Sequence, residues 1–316
     1  MRLKYITGLD DEELEDLVAR IEKLLPEPWN KSTGRPKKLS LRDAVAITCA
    51  YKRQNIIQEV LGEIWDVSQG VVSEIITAIT PFIKEATCEF VPTPEEAITM
   101  VTGRVCLVDG SLDPCWSWES HGELWTRKHG ATGHNFQVIT NLDGDVFFIS
   151  DPVPGSVHDS VAIKETPVAS ILEHSGGVIG DKGYQGCGYV TPRKKPRGGE
   201  LSAGDKRENE NISRLRAPVE RAMAYIKSWR ILYTDYRRPF RTHLESFQAT
   251  IGLFFFKASF PITLNIDPGG KSKSVSLLDS NPSPPSPGSA TWIVRPHSTQ
   301  ARSTCGTVSG AKLLPH

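Results

Sequence analysis

The chain has 316 residues, 39% apolar and 23% charged, proportions that suit a folded soluble protein and exclude a chain too polar to build a core. Lys plus Arg equals Asp plus Glu at 37 each, so the net charge names no polyanionic partner. No apolar run is long enough for a membrane span, and no signal peptide is expected. The six cysteines show neither CxxC pairs nor zinc-ligand spacing, so reduced thiols in a cytoplasm are expected.

The charge is unevenly spread. Residues 182–241 carry fifteen Lys/Arg against six Asp/Glu, whereas residues 1–30 carry eight acids against four bases. The basic stretch suggests a phosphate-binding face, although a solvated surface has the same composition.

In chain order, residues 1–30 read as one amphipathic acidic helix, stopped by Pro26 and Pro28. A basic linker, KSTGRPKKLS, follows. Residues 38–90 read as an all-α domain. Ser40 caps a helix over 41–54, a short helix covers 58–65, and Ser68 caps a third with apolar residues at helical spacing. The tight Asp66-Val67-Ser68 junction suits a helix-turn-helix, with Gln69, Ser73 and Glu74 placed to meet base edges. A plain three-helix packing module fits the same pattern.

Pro92 and Pro94 mark a boundary, and after Gly103 the period changes to two. RVCLVDGS predicts a buried strand ending in Asp109. HNFQVITNLDGDVFFISDPV predicts a hairpin about Asp143-Gly144, and VPGSVHDS a turn into a helix capped by Asp159 or Ser160. GGVIGDKGYQG predicts a strand ending in Asp181. A basic loop with Arg193, Lys194, Lys195 and Arg197 precedes a long helix, and a last helix covers about 244–256. Three adjacent strands, a helix, a fourth strand and further helices give the order of a ribonuclease-H-like α/β domain over 101–262. Residues 267–316, rich in Pro, Ser and Gly, read as a disordered low-complexity tail.

The chemistry lies in the acids. In this topology Asp109, Asp181 and Glu220 meet at one edge of the sheet, where mutual repulsion calls for cations. Two Mg²⁺ or Mn²⁺ ions roughly 4 Å apart would resolve it and support in-line phosphoryl transfer. Asp159 is the rival second ligand, with an N-cap role as its bland explanation. Arg216, Glu220 and Lys227 stand at i, i+4 and i+11, on one helical face; a surface ion-pair ladder reads the same way. Arg127, Lys128, His129 and His134 are DNA contacts or simply an exposed loop. Trp116, Trp118 and Trp125 are base-stacking or packing residues, and Tyr184 packs or hydrogen-bonds a phosphate.

VDGS at 108–111, PGSVHDS at 154–160, GDKGYQG at 180–186 and RAPVERAMAYIKSW at 216–229 resemble the blocks of insertion sequence 5 family transposases. That family, related to eukaryotic Harbinger transposases, belongs to the DDE superfamily. The resemblance covers about 38–260 and departs at Ser213, where the family has tyrosine. It implies a metal-binding triad of Asp109, Asp181 and Glu220, with Arg216 and Lys227 on DNA phosphates. It also implies binding of terminal inverted repeats, cleavage of element ends, joining of 3′ ends to target DNA, and a homodimer or larger synaptic assembly. A nuclease of the same fold, or a transposon-derived DNA-binding protein without catalysis, are the alternatives.

Overall fold

The computed structural model describes residues 3–30, 37–116 and 120–260; the expected tail at 267–316 lies outside them. The first thirty residues form two helices rather than one, α1 (Lys4–Thr7) and α2 (Asp11–Leu24). Gly8 adopts φ +81°, which ends α1, and Asp10 with Glu13 then forms a capping box that restarts the helix.

Three helices follow. α3 (Leu41–Gln54) begins in a Ser40–Asp43 capping box and stops at Asn55, at φ 45°. α4 (Gln58–Trp65) and α5 (Gln69–Thr87) meet across the three-residue turn 66–68, with Ser68 as the α5 cap. A Cβ on Gly62 would stand 2.5 Å from the Val67 carbonyl, so glycine is what lets the turn fold back this closely. α6 (Pro94–Val101) carries Pro94 in its first turn, where a missing N–H costs nothing.

The sheet is built on β1 (Val105–Pro114). β3 (Ala131–Thr140) pairs antiparallel along one edge of β1, and β6 (Gly177–Ile179) pairs parallel along the other. β4 (Val146–Ile149), β5 (Val153–Pro154) and β2 (Trp125–Thr126) all pair with β3. The β3–β4 hairpin forms about Gly144, at φ 96°. Its loop runs over 141–145, gathered by the Asn141 side chain, which accepts from the Asp143 and Asp145 amides.

Each face of the sheet has its cover. α7 (Asp159–Glu165) and α8 (Val168–Leu172) pack with α6 against Cys106, Val108 and Ile139. α9 (Ala203–Ile226) crosses the other face as one continuous 24-residue helix, its Ile212 and Val219 clustered with Leu107 and Ile179. α10 (His243–Ser259) then packs along α5. The largest apolar cluster therefore includes Leu14, Ile47, Ile76, Phe136, Ile226 and Phe254 together, crossing the proline boundary near residue 94. No disulfide forms among the described residues, and none of their helices is long and apolar enough to cross a membrane.

Candidate active site

Strand register brings the acids together. β1 and β6 run parallel with Leu107 opposite Ile179, and Asp109 and Asp181 each lie two residues further on. Side chains two apart share a face, so both aspartates are on the Leu107/Ile179 side, the side α9 covers. Asp109 is not at the end of its strand, as expected from sequence; β1 continues five residues beyond it because Gly110–Pro114 remain paired with β3. Asp181 does follow the end of β6, in extended backbone, and its Oδ1 accepts from the Gly183 amide at 2.7 Å.

From α9, the Arg216 guanidinium reaches Asp109 Oδ1 at 3.3 Å and Glu220 Oε1 at 3.8 Å. Arg216 is largely buried and Glu220 largely exposed. Burial, and after it the neighbouring Asp181 and Asp159, push the Asp109 carboxyl up to about 6, although Arg216 acts in the opposite direction. Lys227 is the C-cap of α9. Burial lowers its pKa against the opposing pull of Asp109 and Asp113, and its ammonium lies 5.5 Å from the Tyr233 ring centroid. The i, i+4, i+11 pattern is therefore not a solvated ladder; its two cations face inward toward carboxylates.

Asp159 enters from the other face of the sheet. The N-cap of α7 is His158, whose ring accepts from the Ser160 amide, so helix capping does not explain Asp159. Its carboxylate is buried, accepting from Asn135 Nδ2 at 2.8 Å and Lys128 Nζ at 3.0 Å. Burial alone would raise its pKa, but these two donors outweigh it and the carboxyl lies below the usual range. Behind Asn135 a buried relay continues. Gln137 Nε2 donates to Asn135 Oδ1 at 3.0 Å, and the fully buried Tyr184 hydroxyl donates to Gln137 Oε1.

Two glycines make the space. A Cβ on Gly110 would stand 2.6 Å from Asp159 Oδ1, and one on Gly183 would stand 2.7 Å from Asp159 Oδ2 and 2.8 Å from Asp181 Oδ1. The carboxylates of Asp159 and Asp181 thus flank one small gap. The donors here are carboxylate oxygens, and Asp159 and Asp181 both push the Asp109 carboxyl up; an all-oxygen set of this kind suits a hard divalent cation. Lys128 and Arg216 supply the positive charge in this arrangement, and among the described residues no three His, Cys, Asp or Glu side chains are gathered as a ready metal-binding group.

The other expected contacts are distributed more widely. Gln69 and Ser73 are at the front of α5, away from the acids, Gln69 donating to Gln58. Arg193 pairs with Asp205 and Glu208, Lys195 with Glu200, and Lys194 is exposed beside them. His134 is not in an exposed loop: it is buried on β3 and stacked on His243, with ring centroids 3.9 Å apart. Trp116 and Trp125 are exposed rather than packed, at 62% and 50%, and Trp118 is outside the described residues. Sequence reasoning missed Asn135 and Gln137. Their signal was polar residues at alternate positions of a strand otherwise rich in apolar ones.

Residues 108–254 match the family described as DDE superfamily endonuclease, which implies dependence on divalent metal. Two similar proteins carry provisional transposase names. One, for insertion sequence element IS112 of Streptomyces albus G, is 29% identical over 63% of this chain and 73% of its own length. The other, for insertion sequence element IS702 of Microchaete diplosiphon, is 26% identical over 68% of this chain and 80% of its own. No solved structure matches the chain at a significant level. Asp109, Asp181 and Glu220 thus lie within the stretch that matches the DDE superfamily endonuclease family, and the chain is an enzyme of the DDE transposase and endonuclease type.

Proposed function

We propose that this enzyme is a DNA transposase of the insertion sequence 5 type, which binds the terminal inverted repeats of its own element, cleaves there and joins the freed 3′ ends to target DNA. The observation that carries the reading is the equal register of Asp109 and Asp181 on adjacent parallel strands, facing the helix that holds Glu220. A strand order of β4–β3–β1–β6, with only the last pair parallel, supports a ribonuclease-H-like domain. The α4–α5 pair and its three-residue turn support a helix-turn-helix reader of double-stranded DNA.

Asp109, Asp181 and Glu220 would hold two divalent cations, Mg²⁺ or Mn²⁺, which supply activation of a hydroxyl or water and stabilise the leaving oxygen. The chain's own part is to hold three oxygen donors on rigid elements and to aim cations at phosphate. Lys227, beside Asp109, would meet the scissile backbone. Arg216 is held by Asp109 and Glu220, so it would turn to phosphate only as those acids take up metal. Asp181 is the preferred second ligand because it shares the face of Asp109, whereas Asp159 comes from the α7 face with both oxygens engaged. Lys194, Lys195 and Arg193 would follow the backbone of the flanking DNA. Pairing two ends calls for a homodimer or larger assembly, working in the cytoplasm.

The test is cleavage of labelled DNA carrying the element's ends, in Mg²⁺ or Mn²⁺. Wild type should cut at the repeat ends, and Glu220→Ala, Asp109→Ala and Asp181→Ala should bind but not cut. A dead Asp159→Ala beside an active Asp181→Ala would transfer the second position to Asp159. Binding without cutting by wild type would refute the catalytic reading.

A further inference from the structure

The strap over residues 234–242, between α9 and α10, carries three arginines, Arg237, Arg238 and Arg241, that play no part in the carboxylate site. It is fastened to the N-terminal helices. Asn55, the αL residue ending α3, donates from Nδ2 to Thr234 Oγ1 at 2.7 Å and to the carbonyls of Thr234 and Asp235 at 3.2 and 3.1 Å. Arg237 donates back to the Asn55 carbonyl, and Arg238 Nη2 to Thr77 Oγ1 of α5 at 2.6 Å.

Between the strap and α5 lies a cleft of about 400 Å³, lined by Gln69, Ser73, Thr77 and Gln58 on one wall and the three arginines with Pro239 and Thr242 on the other. Gln69, Ser73 and Thr77 are spaced i, i+4, i+8, a single polar stripe on α5. No acid lines the cleft, and among the described residues none of the three arginines makes an ion pair. Arg238 Nη1 is buried with no hydrogen-bond partner. Three guanidinium groups held within five residues repel one another, and an orphaned charged donor is costly to bury. A polyanion laid across the cleft would offset that repulsion.

We infer that DNA recognition in this protein uses a composite surface: the Gln69–Ser73–Thr77 stripe of α5 reads base edges in a major groove, while Arg237, Arg238 and Arg241 of the endonuclease domain grip the phosphates beside it. The inference rests on the reading of the chain as a DNA-binding transposase and adds where the reading helix obtains its backbone anchor. Glutamine at the front of such a helix suits bidentate pairing with adenine, and arginine suits phosphate.

The experiment measures binding of two duplexes over a range of salt, one with the element's terminal repeat and one with the same bases scrambled. Arg241→Ala, the least tethered of the three, should weaken both duplexes alike and reduce the slope of log affinity against log salt by about one. Gln69→Ala should weaken only the repeat duplex, by about 5- to 150-fold, the range of one bidentate base contact. Lys23→Ala, an exposed cation on α2, should change neither, and unchanged circular dichroism would confirm that the variants fold. If wild type binds the repeat but both Arg241→Ala and Gln69→Ala match it in affinity and slope, the composite surface is overturned while the transposase reading stands. If wild type binds neither duplex, both fail.

Discussion

Lys52 is the most exposing test of how this core is held. Its side chain is fully buried on α3, with Nζ donating to Ser246 Oγ at 3.0 Å and the Ser246 carbonyl at 3.2 Å on α10. Burial lowers its pKa from 10.5 to about 7. Between those two values the unfolded chain carries a proton that the folded chain does not, so stability rises with pH across this window. Below about 7 the penalty is fully present, and above 10.5 it is gone. At about 1.4 kcal/mol for each pH unit, it amounts to about 5 kcal/mol at most. Lys52→Met keeps a long unbranched side chain in the same space, and the Ser246 carbonyl retains the Thr250 hydroxyl at 2.7 Å. The two lost hydrogen bonds offset part of the gain, leaving about 2–4 kcal/mol at pH 7. Urea unfolding of both proteins at intervals from pH 7 to 10 would show the variant ahead at pH 7, with the gap narrowing steadily as pH rises. A gap that is constant over that range, or a variant less stable at pH 7, would refute the argument that Lys52 is a buried amine whose pKa burial has lowered.

Three other outcomes follow from the site's geometry. Tyr184→Phe removes the last donor of the Tyr184–Gln137–Asn135–Asp159 relay; it should cost about 1 kcal/mol in chemical denaturation and reduce cleavage more than DNA binding. Gly183→Ala places a methyl group against the carboxylates of Asp159 and Asp181, and should abolish cleavage while costing about 1–3 kcal/mol in a melt. Asp113→Ala withdraws the carboxylate that meets His243 Nε2 at 2.8 Å in the buried space between β1 and α10, and should lower stability by about 3 kcal/mol as read from thermal or urea unfolding.

Much of the domain's skeleton was legible because its signals are local. The β-branched run before Asp109, the apolar triplet before Asp181 and the capping residues Ser40 and Ser68 each fix an element within a few residues. Where β1 would end was not legible, because strand continuation past Gly110 depends on its partner β3 rather than on its own composition. The break at Gly8 was missed because residues 4–7 form a single turn, too short to show a period of its own; the positive φ at Gly8 and the Asp10 cap separate it from α2. The inward turn of Arg216 and Lys227 was hidden because periodicity gives a face but not its depth. Nor could chain order reveal that residues 234–242 fold back onto α3 and α5, which requires contacts 180 and 161 residues apart.

That fold-back, together with the packing of α10 along α5, leaves no swivel between the two halves of the molecule. Base edges read at α5 and a bond cut at Asp109 would be separated by a length set in the protein core, as between the jaws of a fixed caliper. Such a protein would count base pairs: adding a few between the recognised sequence and the element's end should shift the cut rather than be absorbed by a flexing linker. The N-terminal helices expressed alone would in turn expose the apolar flank of α5 that α10 covers, so the caliper comes apart only by unfolding.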